Sequence, residues 1–182
     1  MKFKEQLEDL SACEESVEWV GDRDLKTAWE ECARGDWMLW LAARLKVDRK
    51  LVALATCDCA ETSLNFVRAD EGRPAAALRI VRAWCAGEAT LDEVKGAAGA
   101  AADAADASYA DAAASAAADA AYAAAADAAA YAAGAAAYAA GAAAGAADAA
   151  YAAARRLSLA RSADIVRKRI SAEILLEVKD EH

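Results

Sequence analysis

The chain of 182 residues carries 21 basic against 30 acidic side chains, a net charge of −9, which argues against nucleic-acid binding through a broad basic surface. One proline and almost no alternation of β-branched residues argue against a sheet, and the length favours a single domain over residues 1–182. The start, Met1-Lys2-Phe3-Lys4-Glu5-Gln6, has no apolar run, so no signal peptide is expected. Five cysteines without a dense framework fit free thiols in a reducing cytoplasm.

Phe3, Leu7 and Leu10 mark a first helix. Ser11 with Glu14 reads as a capping box for a second, with Cys13, Val17 and Val20 as its stripe and Gly21 as its stop. Asp24 caps a third over residues 25–34, with Leu25, Trp29 and Cys32 on one face and Gly35 ending it. Asp36 caps a fourth, Trp37-Met38-Leu39-Trp40-Leu41-Ala42-Ala43, which is apolar all round and therefore central to the core. Asp48 caps a longer helix reaching to about Phe66, with Leu51, Ala55, Cys59, Thr62 and Phe66 in register. After a loop over 68–73, Pro74 opens a helix to Cys85, closed by Gly87 and presenting Leu78, Val81, Trp84 and Cys85. All five tryptophans lie between residues 19 and 84, so the large-residue core falls outside the alanine-rich tract of residues 97–154.

That tract holds 41 alanines in 58 positions, with six Asp, five Tyr, four Gly, two Ser and no Lys or Arg. Alanine loses no side-chain entropy in a helix, so the tract is predicted helical, and Thr90 with Glu93 supplies its capping box. As one straight helix it would run roughly 87 Å at 1.5 Å per residue, against roughly 40 Å for a compact domain of this length. Tyr109, Tyr131 and Tyr138 share one side of such a helix, with Tyr122 and Tyr151 nearly opposite. Two or more close-packed helices, broken near Gly134, Gly141 or Gly145, would bury both sets. That is the favoured reading, and a long exposed helix, alone or paired with a second copy, is the rival. Asp103, Asp106, Asp111, Asp119, Asp127 and Asp148 interrupt the tract and exclude it as a membrane span. A scaffold is the plain reading of it.

The remainder, residues 155–182, reads as one basic helix with Leu157, Ile165, Val166, Ile170 and Ile174 at helical spacing. Short links imply antiparallel neighbours, so the expected architecture is an all-α antiparallel multi-helix bundle. It has a Trp-rich part (1–90), the alanine-rich helices (91–154) and the C-terminal basic helix. Alanine faces pack equally well within and between chains, which leaves a homodimer open.

Catalytic machinery is scarce. The single histidine is His182, the last residue, so neither a Ser/His/Asp nor a Cys/His arrangement can be assembled without another imidazole. Paired carboxylates among thirty acids are not singled out by spacing. No glycine-rich phosphate loop is present, and no cofactor is implied. Cys57-Asp58-Cys59 invites a metal reading, but on a helix the two cysteines point about 200° apart; buried, inert thiols are expected at Cys13, Cys32, Cys59 and Cys85.

Two clusters are candidates for binding. Arg155, Arg156, Arg161, Arg167, Lys168 and Arg169 fall within fifteen residues that contain one acid, Asp164. They read either as a site for phosphate or an acidic partner, or, as composition favours, as ion-pair partners for the aspartates of the tract. Trp29, Asp36, Trp37, Trp40 and Arg44 form the densest group of informative side chains. Trp and Arg are enriched in binding hot spots, although tryptophans in a small helical region are more often core.

The stretch Ala28-Trp29-Glu30-Glu31-Cys32-Ala33-Arg34-Gly35-Asp36-Trp37-Met38-Leu39-Trp40-Leu41 resembles the N-terminal signature of the Imm5-like immunity proteins of bacteria. Asp48 to Leu51, Cys57 to Ala60, Arg82-Ala83-Trp84, Gly87 to Val94, the alanine tract and Ala163 to Arg167 extend the likeness over roughly residues 10 to 170. Tracts in that family usually carry some Arg, and this one has none. The resemblance implies an all-α protein that neutralises a toxin by binding it, without catalysis. Such proteins also occur in phage genomes, where a defence effector would be the partner. The competing expectation is a small-ligand or phosphate-binding protein, or an enzyme, using the Trp29/Asp36/Arg44 region with the C-terminal arginines. A spacer built on a long alanine helix is the third.

Overall fold

The computed structural model describes residues 2–67, 69–106 and 148–180. Every regular element among them is helical: α1 (Phe3–Asp9), α2 (Glu14–Val20), α3 (Leu25–Glu31), α4 (Gly35–Arg44), α5 (Arg49–Glu61), a short 3-10 turn (Leu64–Phe66), α6 (Arg73–Ala86), α7 (Leu91–Asp106), α8 (Asp148–Arg169) and α9 (Ala172–Asp180). The fold is all-α, with helices packed on helices.

Most predicted caps form. Asp24 accepts from the Thr27 amide at 2.7 Å, and Asp48 accepts from the amides of Lys50 and Leu51 at 2.9 and 3.1 Å. Thr90 and Glu93 cap reciprocally, at 2.7 Å from the Thr90 amide to Glu93 and 3.3 Å in return. Each satisfies amides that the first helical turn leaves without partners.

Four boundaries differ from expectation. Ser11 does not open α2, whose N-cap is Cys13. Its φ of 61° places it in the left-handed region, where it closes α1: the Ser11 amide donates to Glu8 and the Ala12 amide to Leu7, both at 2.9 Å. This is the helix-ending motif usually built on glycine. Gly35 does not end α3, which stops at Glu31, but begins α4. A Cβ at Gly35 would lie 2.5 Å from the Ser162 side chain and under 3 Å from the backbone of Ser162 and Ala163, so glycine there permits the close approach of α4 and α8. The expected longer helix stops at Glu61 because the hydroxyls of Thr62 and Ser63 donate to the carbonyls of Cys59 and Ala60 at 2.7 and 2.6 Å, competing with the helix ladder. The C-terminal part is two helices rather than one, interrupted at Ile170 and Ser171. The Ile170 carbonyl instead accepts from the Trp29 indole at 3.0 Å.

The buried apolar residues form two clusters that share α5. One joins α1 to α5 with α8 and α9 through large side chains, among them Phe3, Leu7, Trp29, Met38, Leu39, Ile170 and Leu175. The other joins α5, α6 and α7 through small ones: Ala53, Cys57, Ala60, Ala77, Ala98 and Ala101 around Leu78, Val81, Trp84 and Val94. Asp58, on α5, ties the arrangement together by pairing with Arg82 of α6 at 2.8 Å and Arg169 of α8 at 2.6 Å.

The two described ends of the alanine tract lie in α7 and α8. Packing on α8 runs through Leu159, Ala163 and Val166, and Ile170 just past its end continues the stripe. Leu157, expected on that stripe, is 73% exposed, because it lies about 200° round the helix from Leu159. Tyr109, Tyr122, Tyr131 and Tyr138, the three glycines from Gly134 to Gly145, Asp111, Asp119 and Asp127 lie outside the described residues, as does His182. The side chains of Asp106, Asp148 and Tyr151 do too.

Candidate functional site

The turn closed by Ser11 folds α1 against α2, and the extended backbone at Cys32 swings α4 across the end of α3. Together the four helices enclose a cleft of about 320 Å³. Its walls are Phe3 and Leu7 of α1, Trp19 and Val20 of α2, Ala28 and Trp29 of α3, and Trp37, Met38, Trp40 and Leu41 of α4. Ser11, Cys13, Ser16, Cys32 and Asp36 supply the polar atoms. The volume is at the low end of the roughly 300–1,000 Å³ typical of ligand pockets.

The polar groups of the cleft are largely engaged. Asp36 is buried but does not cap α4. Both of its oxygens accept from Arg34, the N-cap residue, at 2.9 and 2.7 Å. That hydrogen bond holds the Arg34 guanidinium above its ordinary range, against the opposing effect of partial burial. Arg34 also lies 4.2 Å over the Trp37 ring and reaches Glu15 at 3.3 Å. Ser16 donates to the Cys13 carbonyl at 2.7 Å. Burial pushes the Cys32 thiol up, and its hydrogen bond with the Arg34 backbone opposes the shift.

Trp19 and Trp37 meet at 6.1 Å with rings inclined by 59°. Two further arginines lie on tryptophan faces: Arg23 over Trp19 at 4.9 Å and Arg44 over Trp40 at 5.6 Å.

The sequence candidates are distributed unevenly. Trp29, Asp36, Trp37 and Trp40 converge on the cleft, with Trp29 only 2% exposed. Arg44 is exposed on α4 and stacks on Trp40 without lining the cleft. Arg167 turns inward: it donates to the carbonyls of Trp29 and Cys32 at 3.2 and 2.7 Å and to Asp164 at 2.7 Å, satisfying the end of α3. Arg169 pairs with Asp58. Neither partner belongs to the alanine tract. Arg156 and Arg161 are exposed and Arg155 half-exposed on α8, and none forms an ion pair among the described residues. Leu157, the exposed large apolar residue there, sits between them in sequence.

Arg34, Trp19 and the α1 residues were not among the sequence candidates. Their convergence depends on how four helices meet, although the Arg34-Gly35-Asp36 run at a helix start could have flagged the ion pair.

Cys57 and Cys59 face opposite clusters of α5, as their helical spacing requires. Burial pushes both thiols up to about 12, with Cys59 also hydrogen-bonded toward Ser162. Such thiols are poor ligands and nucleophiles at neutral pH. Among the described residues no group of three His, Cys, Asp or Glu side chains could hold a metal ion. No helix among them is long and apolar enough to cross a membrane.

The fold and this site define an all-helical protein with an apolar surface cleft and separate exposed arginines. The chain belongs to the family described as Imm-5 like putative immunity protein, whose model matches residues 45–164. No curated protein and no solved structure matches it. The match takes in α5, α6, α7 and most of α8. It begins after the Ala28–Leu41 stretch, so it is narrower than the likeness read from sequence, and every residue lining the cleft precedes it.

Proposed function

We propose that this chain is a non-catalytic binding protein that acts in the cytoplasm by occupying a protein partner, a toxin or a defence effector, and so neutralising it. Family membership over 120 of 182 residues carries the reading. The exposed surfaces agree with it. Arg155, Arg156 and Arg161 are free of ion pairs among the described residues and flank exposed Leu157, a combination suited to an acidic partner. Trp37, Trp40 and Arg44 form a second aromatic and basic surface on α4.

The test is an affinity pull-down from native host or infected-cell lysate, read by mass spectrometry. A variant with Arg155, Arg156 and Arg161 all changed to Glu serves as the control. One stoichiometric protein partner whose toxicity is relieved by co-expression supports the reading, and its loss with the control locates the surface on α8. No partner from a folded protein, with no toxin rescued, overturns it. The cleft favours a second reading, binding of a small apolar molecule, and native mass spectrometry showing a retained ligand of defined mass would support that one.

A further inference from the structure

Trp19, Trp37 and Trp40 of the cleft each lie under an arginine, and two of those arginines already hold carboxylates. Arg23, over Trp19, donates from Nε to Glu31 at 2.7 Å. Arg34, over Trp37, donates from Nε and Nη2 to Asp36 at 2.9 and 2.7 Å and from Nη1 to Glu15 at 3.3 Å. Arg44, over Trp40, pairs with no carboxylate among the described residues. A guanidinium that rests its face on a ring keeps the N–H donors of its edge, a fork that matches a carboxylate. Arg44 is also in line with the cleft. Helical spacing places it within about 60° of Trp37, Trp40 and Leu41 on α4, about one turn beyond the last of them. The exposed acids of α1 and α2 do not compete for it from the cleft side. Glu8, Asp9, Glu14 and Glu18 fall about 100° or more from every lining residue of their own helices. The cleft-lining face of α4 thus runs from an apolar wall into an exposed cation.

We infer that the α1–α4 cleft binds a small amphiphilic carboxylate, its apolar tail in the cleft and its carboxylate on the Arg44 guanidinium beside Trp40. This names the ligand class for the small-molecule reading and rests on it. The polar atoms of the cleft are largely engaged, Ser16 with Cys13 and Asp36 with Arg34. Backbone amides of a peptide entering it would lose their hydrogen bonds to water without replacement. An alkyl or aryl tail brings no such groups and gains from every methylene it buries. At the Arg44 end a cationic head group would meet a like charge, and a neutral one would forgo the charge-assisted pair.

The test titrates the intact protein with octanoate, octanol and octylamine, which share a tail and differ in head-group charge, and reads tryptophan emission and heat. Octanoate should bind at least about ten-fold tighter than octanol, with an affinity that falls as salt is raised, and octylamine should bind weakest. Hexanoate, two methylenes shorter, should bind about ten-fold more weakly than octanoate. Arg44→Gln should bring octanoate down to the level of octanol and leave octanol unchanged. Arg79→Gln, at an exposed position on α6, should change neither. Because Arg44 is itself exposed, its variant tests the contact without emptying the core. Octanol or octylamine binding as tightly as octanoate, hexanoate binding equally well, or full octanoate affinity in Arg44→Gln overturns the inference and leaves at most an apolar cleft. No binding of any probe by the folded protein overturns the small-molecule reading with it. If octanoate does not bind but capture of a protein partner is lost in Arg44→Gln, the inference fails and the carboxylate belongs to that partner.

Discussion

Helix α5 is buried on two faces, and the two are packed by opposite rules. Toward α4 and α8 it meets large side chains that interlock around Trp29, Met38 and Leu39. Toward α6 and α7 it meets Ala77, Ala98 and Ala101, fully buried residues with almost no side chain. In the first cluster stability comes from area removed from water and from shape. In the second, each contact buries little, and small residues let helix backbones approach closely. The large-residue side also leaves a cleft where four short helices fail to fill the space between them. The same difference separates Cys59 from Cys57, neighbours on one helix that face different clusters.

The two rules predict opposite sensitivities. The largest expected effect is Trp29→Ala, which empties the large-residue cluster and removes the hydrogen bond to Ile170. A loss of about 3–5 kcal/mol in denaturant unfolding is expected. A loss below about 1 kcal/mol would break the contrast. Next comes overpacking of the small-residue side: Ala98→Leu should cost about 1–3 kcal/mol, although leucine is apolar and a good helix former. If Ala98→Leu is neutral or stabilising, the second cluster is loosely packed rather than close.

The thiols sharpen the comparison through their titration. Ionisation of Cys57 and Cys59 is raised from 9.0 to about 12 in the fold. Below pH 9 both states hold the protons and the thiols add no pH dependence. Between 9 and 12 the unfolded chain gives them up first. These thiols therefore make stability fall as pH rises through that window, by at most about 1.4 kcal/mol per pH unit for each. A Cys57→Ala/Cys59→Ala protein should show a shallower decline, and the folded wild type should react with a thiol reagent at exposed Cys13 well before Cys57 or Cys59. The smallest effect is expected at Leu157, 73% exposed on α8: Leu157→Ala should change stability by no more than about 0.5 kcal/mol. A larger loss would mean that Leu157 is packed in solution.

The sequence by itself determined whatever is settled within a few residues. Asp24, Asp48 and Thr90 cap their helices because each reaches an amide two or three positions on. Gly87, at φ 82°, ends α6 because glycine tolerates the left-handed region. The 100° turn per residue was enough to send Cys57 and Cys59 in opposite directions, and the apolar stripes were enough for the all-α class. Tertiary structure decided what depends on distant partners. Position 35 requires glycine because α8 passes too close for a Cβ. Arg167 looks like one more surface cation in a basic run, yet it is drawn inward by the carbonyls of Trp29 and Cys32, more than 130 residues away in sequence. The cleft gathers residues 3 to 41 from four helices. Three of those helices carry an ordinary apolar stripe and α4 is apolar all round, and only their packing shows which parts are left uncovered.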